Sequence, residues 1–174
     1  MPLVLSHVST TDITSSTSSV DYALTGNFSV YQLIGDGITS SAAGTNIHLR
    51  VSTDNGSTFI STSGAYYWSG RYRSVDASGA SGSNRGLIGG DTQIVLAEPH
   101  SSQDLVSFDY SLHNVQSSSQ RFHTHGLYTA SKADYITQGN YSGMYDTQAT
   151  ITNIRILPSS GTLETGKIRL YGVA

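Results

Sequence analysis

The chain has 174 residues, enough for one domain with a sizeable core, and it contains no cysteine, which excludes disulfides and thiolate metal sites. Charged residues make up 12% of the sequence and the formal net charge is −3, without the basic stripe that nucleic-acid binding needs. We therefore predict no nucleic-acid partner. No apolar run approaches the roughly 18 residues of a membrane span, so we also predict no membrane insertion.

The first nineteen residues differ in composition from the rest of the chain. The segment S-H-V-S-T-T-D-I-T-S-S-T-S-S, residues 6–19, is rich in serine and threonine and offers little to bury. Such a composition is typical of a disordered tail, or of an arm that becomes ordered against a partner. The sequence therefore predicts a polar N-terminal arm over residues 1–19 and a single domain over residues 20–174.

Alternation of apolar and polar residues predicts β-strands along that domain. The alternating positions are Val20, Tyr22, Leu24; Ile47, Leu49, Val51; Val106, Phe108, Tyr110; Ile154, Ile156; and Ile168, Leu170. Turn signals such as D-N-G and P-S-S-G separate these runs, and the sequence has no apolar stripe of helical period and length. We expect an all-β fold, an antiparallel β-sandwich of about eight to ten strands.

The stretch S-T-D-N-G-S-T-F, residues 52–59, matches the pattern Ser-x-Asp-x-Gly-x-Thr-aromatic, which is the Asp-box of sialidases. Asparagine and glycine tolerate the backbone of a tight turn, and the carboxylate of Asp54 is expected to accept hydrogen bonds from the turn amides. Gly56 and Thr58 complete the turn, and Phe59 is expected to anchor it on the core. Because the box occurs once, in a chain too short for a propeller, it predicts a structural turn rather than an active site.

An aromatic cluster follows in A-Y-Y-W-S-G-R-Y-R, residues 65–73. In a strand, Tyr66 and Trp68 share one face while Tyr67 takes the other. We predict that four of these side chains form a binding surface: Tyr66, Trp68, Arg71 and Tyr72. Aromatic and arginine side chains collect in protein interfaces, so a protein partner is favoured over a glycan. The alternative is that most of these rings fill the core of the sandwich or its rim.

Residues 76–90, D-A-S-G-A-S-G-S-N-R-G-L-I-G-G, are the part of the chain richest in glycine and serine. This composition predicts a long surface loop. Long loops in compact domains often carry function, but a plain flexible loop is the favoured interpretation here.

The segment R-F-H-T-H-G places His123 and His125 on one face of a strand. That spacing suits a metal ion, or a stack of rings with two other chains on a three-fold axis. The favoured interpretation is that both are exposed or hydrogen-bonded strand residues. We therefore predict no metal and no cofactor.

Two stretches together resemble a small β-sandwich module of tailed-bacteriophage virion proteins. They are L-R-V-S-T-D-N-G-S-T-F, residues 49–59, and I-T-N-I-R-I-L-P-S-S-G-T-L-E-T-G-K-I-R-L-Y-G-V-A, residues 151–174. The resemblance implies a jelly-roll-like sandwich and a place in the virion, as a tail fibre, a receptor-binding protein or a capsid decoration protein. The matching positions are turn and core residues, so no binding residues follow from the resemblance.

No sequence motif points to catalysis. The segment G-A-S-G-S, residues 79–83, lacks the full G-x-S-x-G elbow, and the sequence contains neither a P-loop nor H-E-x-x-H. We predict that the protein is not an enzyme, with a glycan hydrolase as the least favoured alternative. The start M-P-L-V-L-S-H-V-S lacks the regions of a signal peptide, as expected for a virion protein made in the host bacterial cytoplasm.

A short arm followed by one sandwich, without a long shaft, favours a protein that sits on another protein. The first expectation is a capsid decoration (cement) protein that binds the major capsid protein, or other virion proteins, across neighbouring subunits and stabilises the head. The alternative is a tail-fibre or receptor-binding protein that recognises a host surface glycan. Virion parts of either kind are commonly symmetric, so we expect a homotrimer.

Overall fold

The computed structural model describes residues 4–26, 28–76, 79–99, 104–132 and 134–174, and for residues 76 and 80–90 it describes the backbone only. Within these ranges no helix is long and apolar enough to cross a membrane. The described residues form twelve β-strands: β1 (Leu5–Ile13), β2 (Val20–Ala23), β3 (Val30–Ser40), β4 (Ile47–Ser52), β5 (Tyr66–Asp76), β6 (Gly79–Asp91), β7 (Ile94–Ala97), β8 (Leu105–His113), β9 (Arg121–Lys132), β10 (Tyr135–Gln148), β11 (Asn153–Pro158) and β12 (Leu163–Val173).

These strands form two antiparallel sheets of eight and four strands. The expected all-β antiparallel sandwich is therefore confirmed, with twelve strands instead of eight to ten. The additional strands come from segments whose sequence lacks a clear apolar alternation. Their backbone N–H and C=O groups nevertheless form hydrogen bonds with a neighbouring strand, and this pairing is sufficient to build a strand.

Eight of the strands are arranged as a jelly roll. Part of the large sheet has the order β1-β12-β3-β8, and the small sheet has the order β2-β11-β4-β7. Taken along the chain, these eight strands alternate between the two sheets except at β4 and β7, which follow one another in the small sheet. In the large sheet β1 lies beside β12, and in the small sheet β2 lies beside β11. This is the interleaved Greek-key arrangement of a jelly roll.

Two inserted hairpins widen the large sheet. The hairpin β5–β6 lies between β4 and β7 in the chain, and the hairpin β9–β10 lies between β8 and β11. They pair with each other through β5 and β10, so the complete order is β1-β12-β3-β8-β9-β10-β5-β6. We call the face of this sheet that packs on the small sheet the inner face, and the opposite one the outer face. Strand β7 of the small sheet also contacts β5, β9 and β10.

The core lies between the two sheets and follows the two-residue period of the strands. Its largest side chains, all less than 2% exposed, include Tyr31, Tyr66, Tyr110, Tyr128, Tyr141, Phe122, Leu33, Ile38, Ile47, Leu49, Ile94 and Leu96. Glycines lie directly opposite several of these rings on the neighbouring strand. The pairs are Tyr110–Gly126, Tyr128–Gly139 and Tyr141–Gly70. Because a Cβ atom at any of these glycines would lie 2.3–2.7 Å from the facing ring, glycine is what allows the ring to pack flat on the sheet.

Residues 5–13 belong to the sandwich and do not form a separate arm. They build the edge strand β1, which pairs with β12. Ile13 is buried in the core, and Thr17 exchanges two backbone hydrogen bonds of 2.9 Å with Leu163. Serine and threonine suit this position because an edge strand of one sheet has little area to bury, while β12 satisfies its backbone groups.

The segment expected to be a loop over residues 76–90 is largely a strand. Residues 79–91 form β6, which pairs with β5 and ends the large sheet, while residues 77 and 78 lie outside the described residues. A strand built of glycine and serine gives no periodic apolar signal. Its existence depends on the backbone of β5 next to it.

Candidate functional site

Tyr66 is a core residue and cannot contribute to a binding surface. Its ring is fully buried, and its hydroxyl donates to the carbonyl of Ile60 and accepts the N–H of Val51, both at 3.0 Å. Burial raises the pKa of Tyr66 to about 12, so the hydroxyl stays protonated. The alternation of the sequence placed Tyr66 and Trp68 on one face, and that face proves to be the inner one.

The other three residues of the predicted surface are divided between the two faces of the sheet. Trp68 and Tyr72 are half-buried on the inner face and pack against the core. The indole N–H of Trp68 donates to the carboxylate of Asp91 at 2.6 Å. Arg71 is exposed on the outer face. The predicted set therefore does not form one surface, because residues an odd number of positions apart in a strand point in opposite directions.

The Asp-box forms the turn after β4. Asp54 accepts hydrogen bonds from the hydroxyl of Ser52 at 2.7 Å and from the N–H of Thr58 at 2.9 Å, and these bonds lower the pKa of its carboxyl. Gly56 has a φ of 82°. Phe59 lies under the guanidinium of Arg155, 4.0 Å from its ring centroid, and is not inserted into the core. The carboxylate is thus engaged in holding the turn.

A groove of about 480 Å³ lies on the outer face of the inserted strands. Its lining residues are Tyr67, Trp68, Ser69, His123, Thr124, His125, Ser142, Gly143 and Met144. Of these, Trp68, Thr124 and Gly143 occupy inner-face positions. The remaining six project from three adjacent strands, β5, β10 and β9.

Strand register explains the shape of the groove. One cross-strand row contains Tyr67, Met144 and His123, and the next contains Ser69, Ser142 and His125. The two serines are small and form the floor, whereas the larger side chains around them form the walls. Tyr67 was not part of the predicted binding surface, although its alternation with Tyr66 and Trp68 already placed it on the opposite face.

Three imidazoles stack at one side of this groove. The ring of His113 lies 4.8 Å from that of His123 and 5.0 Å from that of His125, with interplanar angles of 9° and 10°. Burial and the two neighbouring imidazoles lower the pKa of His113. Within the described residues, no group of three His, Cys, Asp or Glu side chains is arranged to hold a metal ion.

The stack thus forms within a single chain, and its third member is His113. The sequence offered a signal for it, since β8 and β9 are consecutive and a hairpin places His113 opposite His123. The side-chain amide of Asn114 determines which nitrogen of the neutral His123 ring carries the proton. Its Nδ2 lies 3.1 Å from the carbonyl oxygen of Arg121 and 3.3 Å from Nδ1 of His123. Because that nitrogen only donates, Nδ1 of His123 accepts, and the neutral ring carries its proton on Nε2.

A second feature of the outer face is a row of exposed aliphatic side chains. Val75 lies opposite Ile136, Ile136 opposite Ser131, and Ser131 opposite Leu105, across four adjacent strands. The three aliphatic residues are 44%, 51% and 53% exposed in that order, so each leaves about half of its surface in water. Leu127, at 64%, is exposed on the same face. We call Val75, Ile136 and Leu105 the aliphatic row.

Comparisons with known proteins identify no family. No family model and no curated protein matches the chain. A Bacteroides ovatus protein of unknown function matches with a TM-score of 0.30 and 12% identity, over 61% of this chain and 45% of that one. Structures of infectious bursal disease virus, the Gt strain and the VP2 subviral particle, match with TM-scores of 0.14 and 0.12 and identities of 7% and 9%, over 99% of this chain and 42% and 40% of theirs. The chain spans less than half the length of these solved proteins, and its jelly-roll assignment rests on its own strand order.

Proposed function

We propose that this protein is a non-enzymatic structural protein of a bacteriophage virion, and that it decorates the capsid by binding across neighbouring capsid subunits. The observation that carries the proposal is the aliphatic row. Exposed aliphatic side chains grouped on one sheet face are typical of a surface that another protein covers. Arg73, Gln138 and Thr129 form the next row and supply the polar rim that such interfaces have.

The architecture of the sheet suits this role. The aliphatic row crosses four strands that are hydrogen-bonded side by side, so its side chains are held on a rigid support. A rigid surface loses little conformational freedom when it binds, which leaves more of the contact energy for attachment. A decoration protein that bridges two capsid subunits adds contacts that must break before the subunits separate. A homotrimer would present three such rows at a capsid three-fold position.

The resemblance to phage virion proteins supports the same proposal. Its two stretches, residues 49–59 and 151–174, are distant in sequence, but β4 of the first pairs with β11 of the second in the small sheet, whereas β12 lies in the large sheet. In the small sheet, Leu49 of β4 lies opposite Ile156 of β11. The resemblance thus covers two neighbouring strands of the small sheet together with β12 of the large sheet.

Two measurements on purified phage particles test the proposal. Quantitative mass spectrometry gives the number of copies of this chain per particle, and we expect a number comparable to that of the major capsid protein. A handful of copies per particle would instead favour a place on the tail. Particles without the protein are expected to release their DNA at a lower temperature than complete particles.

A matched pair of variants connects this effect with the aliphatic row. Ile136→Asp places a charge in the row, and Thr10→Asp makes a comparable change at an exposed position of β1 on the same sheet face. We expect Ile136→Asp to abolish attachment to particles that lack the protein and Thr10→Asp to retain it. Equal attachment of the two variants would refute the role of the row.

A further inference from the structure

The groove on the outer face is separate from the aliphatic row and has a different chemistry. Its walls carry the phenol ring of Tyr67, the thioether of Met144 and the imidazoles of His123 and His125, and its floor carries the hydroxyls of Ser69 and Ser142. None of the described lining residues has a carboxylate, ammonium or guanidinium group. The groove therefore offers ring and methyl surface together with hydroxyl and imidazole groups that can form hydrogen bonds.

This combination matches a ligand that has both an apolar face and several hydroxyl groups but no charge. A pyranose ring is such a ligand, because its axial C–H groups form an apolar face and its hydroxyls lie around the edge. We propose that the groove is a binding site for a neutral saccharide. The sugar ring packs on Tyr67, and its hydroxyls bond to Ser69, Ser142 and the histidines.

Hydrogen-bond donors and acceptors are both present for the sugar hydroxyls. The two serines can donate or accept. The Asn114 amide directs the proton of neutral His123 to Nε2, which makes that atom a donor. An anionic sugar would find no ammonium or guanidinium group among the described lining residues, whereas a neutral sugar finds complementary hydroxyls and ring nitrogens.

The dimensions and the support of the groove are also suitable. A volume of about 480 Å³ lies within the range of roughly 300–1,000 Å³ typical of small-ligand pockets. The side chains stand on three hydrogen-bonded strands whose inner face is filled by Tyr66, Tyr141 and Tyr145. Walls held in this way are already formed before the ligand arrives, which lowers the entropic cost of binding. Of the residues that the sequence predicted for a binding surface, Trp68 lines the groove from its inner-face position, whereas Tyr72 does not line it.

Saturation-transfer difference NMR on the purified chain tests the proposal directly. The probes are methyl α-glucoside, methyl α-mannoside, methyl β-galactoside and methyl β-N-acetylglucosaminide, with the methyl glycoside of sialic acid as an anionic probe. We expect saturation transfer to ring protons of at least one neutral probe and none to the sialoside. Absence of transfer to all four neutral probes, or a preference for the sialoside, overturns the proposal.

Variants assign the binding to the groove. Tyr67→Ala removes the ring and is expected to weaken binding by about tenfold or more, whereas Tyr171→Ala removes a tyrosine elsewhere on the same sheet face and leaves binding unchanged. Ser142→Val fills the floor at an exposed strand position, where a β-branched residue is well tolerated, and should abolish binding. Its control is Thr129→Val on β9. Wild-type affinity in both Tyr67→Ala and Ser142→Val overturns the site. Because the assay uses the isolated protein, its result does not depend on attachment to the capsid.

Discussion

The hydroxyl oxygen of Tyr66 accepts a hydrogen bond of 3.0 Å from the backbone N–H of Val51. Val51 lies in β4 of the small sheet and Tyr66 in β5 of the large sheet, so this bond joins the two layers of the sandwich. The same hydroxyl donates to the carbonyl of Ile60, in the segment that connects the two strands. A ring that the sequence predicted for a binding surface therefore holds the inserted hairpin to the jelly roll.

Tyr66→Phe is expected to lower the free energy of unfolding by about 1–3 kcal/mol, because it removes the partner of the buried N–H of Val51 and of the partly buried carbonyl of Ile60. The phenyl ring still fills its space, so the change is mainly in hydrogen bonding. Urea denaturation measures the effect. Tyr67→Phe on the outer face of the same strand is the control and should unfold like the wild type. Equal midpoints for the two variants would contradict the role of this hydroxyl.

Gly126→Ala is expected to lower the free energy of unfolding by about 1–3 kcal/mol or more, because the added methyl group overpacks the site. A Cβ atom at this position would lie 2.1 Å from the carbonyl oxygen of Asp109 and 2.7 Å from the ring of Tyr110. The first of these atoms belongs to the backbone of β8 and cannot move away without breaking the sheet register. Thermal unfolding checks this, with Thr129→Ala on the outer face of β9 as the comparison. A melting temperature as high as that of the control would show that the sheet accommodates the methyl group.

Gly56→Ala should destabilise the Asp-box turn, whereas Asn55→Gly should not. Both positions have a positive φ, 82° for Gly56 and 60° for Asn55, and a left-handed conformation costs an alanine roughly 1–2 kcal/mol. Asparagine tolerates this region better than most residues, and glycine adopts it freely. Chemical denaturation of the two variants, side by side, measures the difference. If Gly56→Ala were as stable as Asn55→Gly, the backbone of the turn would not be under this constraint.

Stability should fall as the pH is lowered from 6.5 towards 4, and His48 should account for much of the loss. Burial lowers the pKa of His48 from 6.5 to about 4. Above pH 6.5 the ring is neutral in both states and the full stability is present. Between pH 6.5 and 4, His48 is protonated in the unfolded chain but remains neutral in the folded protein, so the free energy of unfolding decreases as the pH falls. The loss amounts to about 3 kcal/mol once the pH is below 4.

The test compares the pH dependence of the free energy of unfolding in His48→Gln and in the wild type. The variant should show a shallower loss between pH 6.5 and 4, while His7→Gln, at an exposed position of β1, should follow the wild type. His113, whose pKa is also lowered, leaves a smaller residual slope. Identical slopes for His48→Gln and the wild type would refute the assignment.

Local sequence patterns determined several features of this protein. The two-residue alternation predicted strands such as residues 47–51 and 106–110, and with them the all-β class. The D-N-G signal predicted the turn at Asp54, whose hydrogen bonds involve only residues four positions apart or fewer. These features are readable because the interactions that produce them are local, or because a strand with one buried face repeats every second residue.

Tertiary structure alone decided which face of each strand is buried and which strands lie next to each other. Alternation put Tyr66 and Tyr67 on opposite faces, but only β7 lying over β5 makes the first a core residue and leaves the second beside the groove. Residues 79–91 form a strand because β5 supplies their hydrogen-bond partners. Residues 5–13 form a strand because β12 supplies theirs. The groove and the aliphatic row each depend on the register of at least three strands. Pairing between segments far apart in the chain leaves no periodic signal in either segment, so the sequence by itself could not place these surfaces.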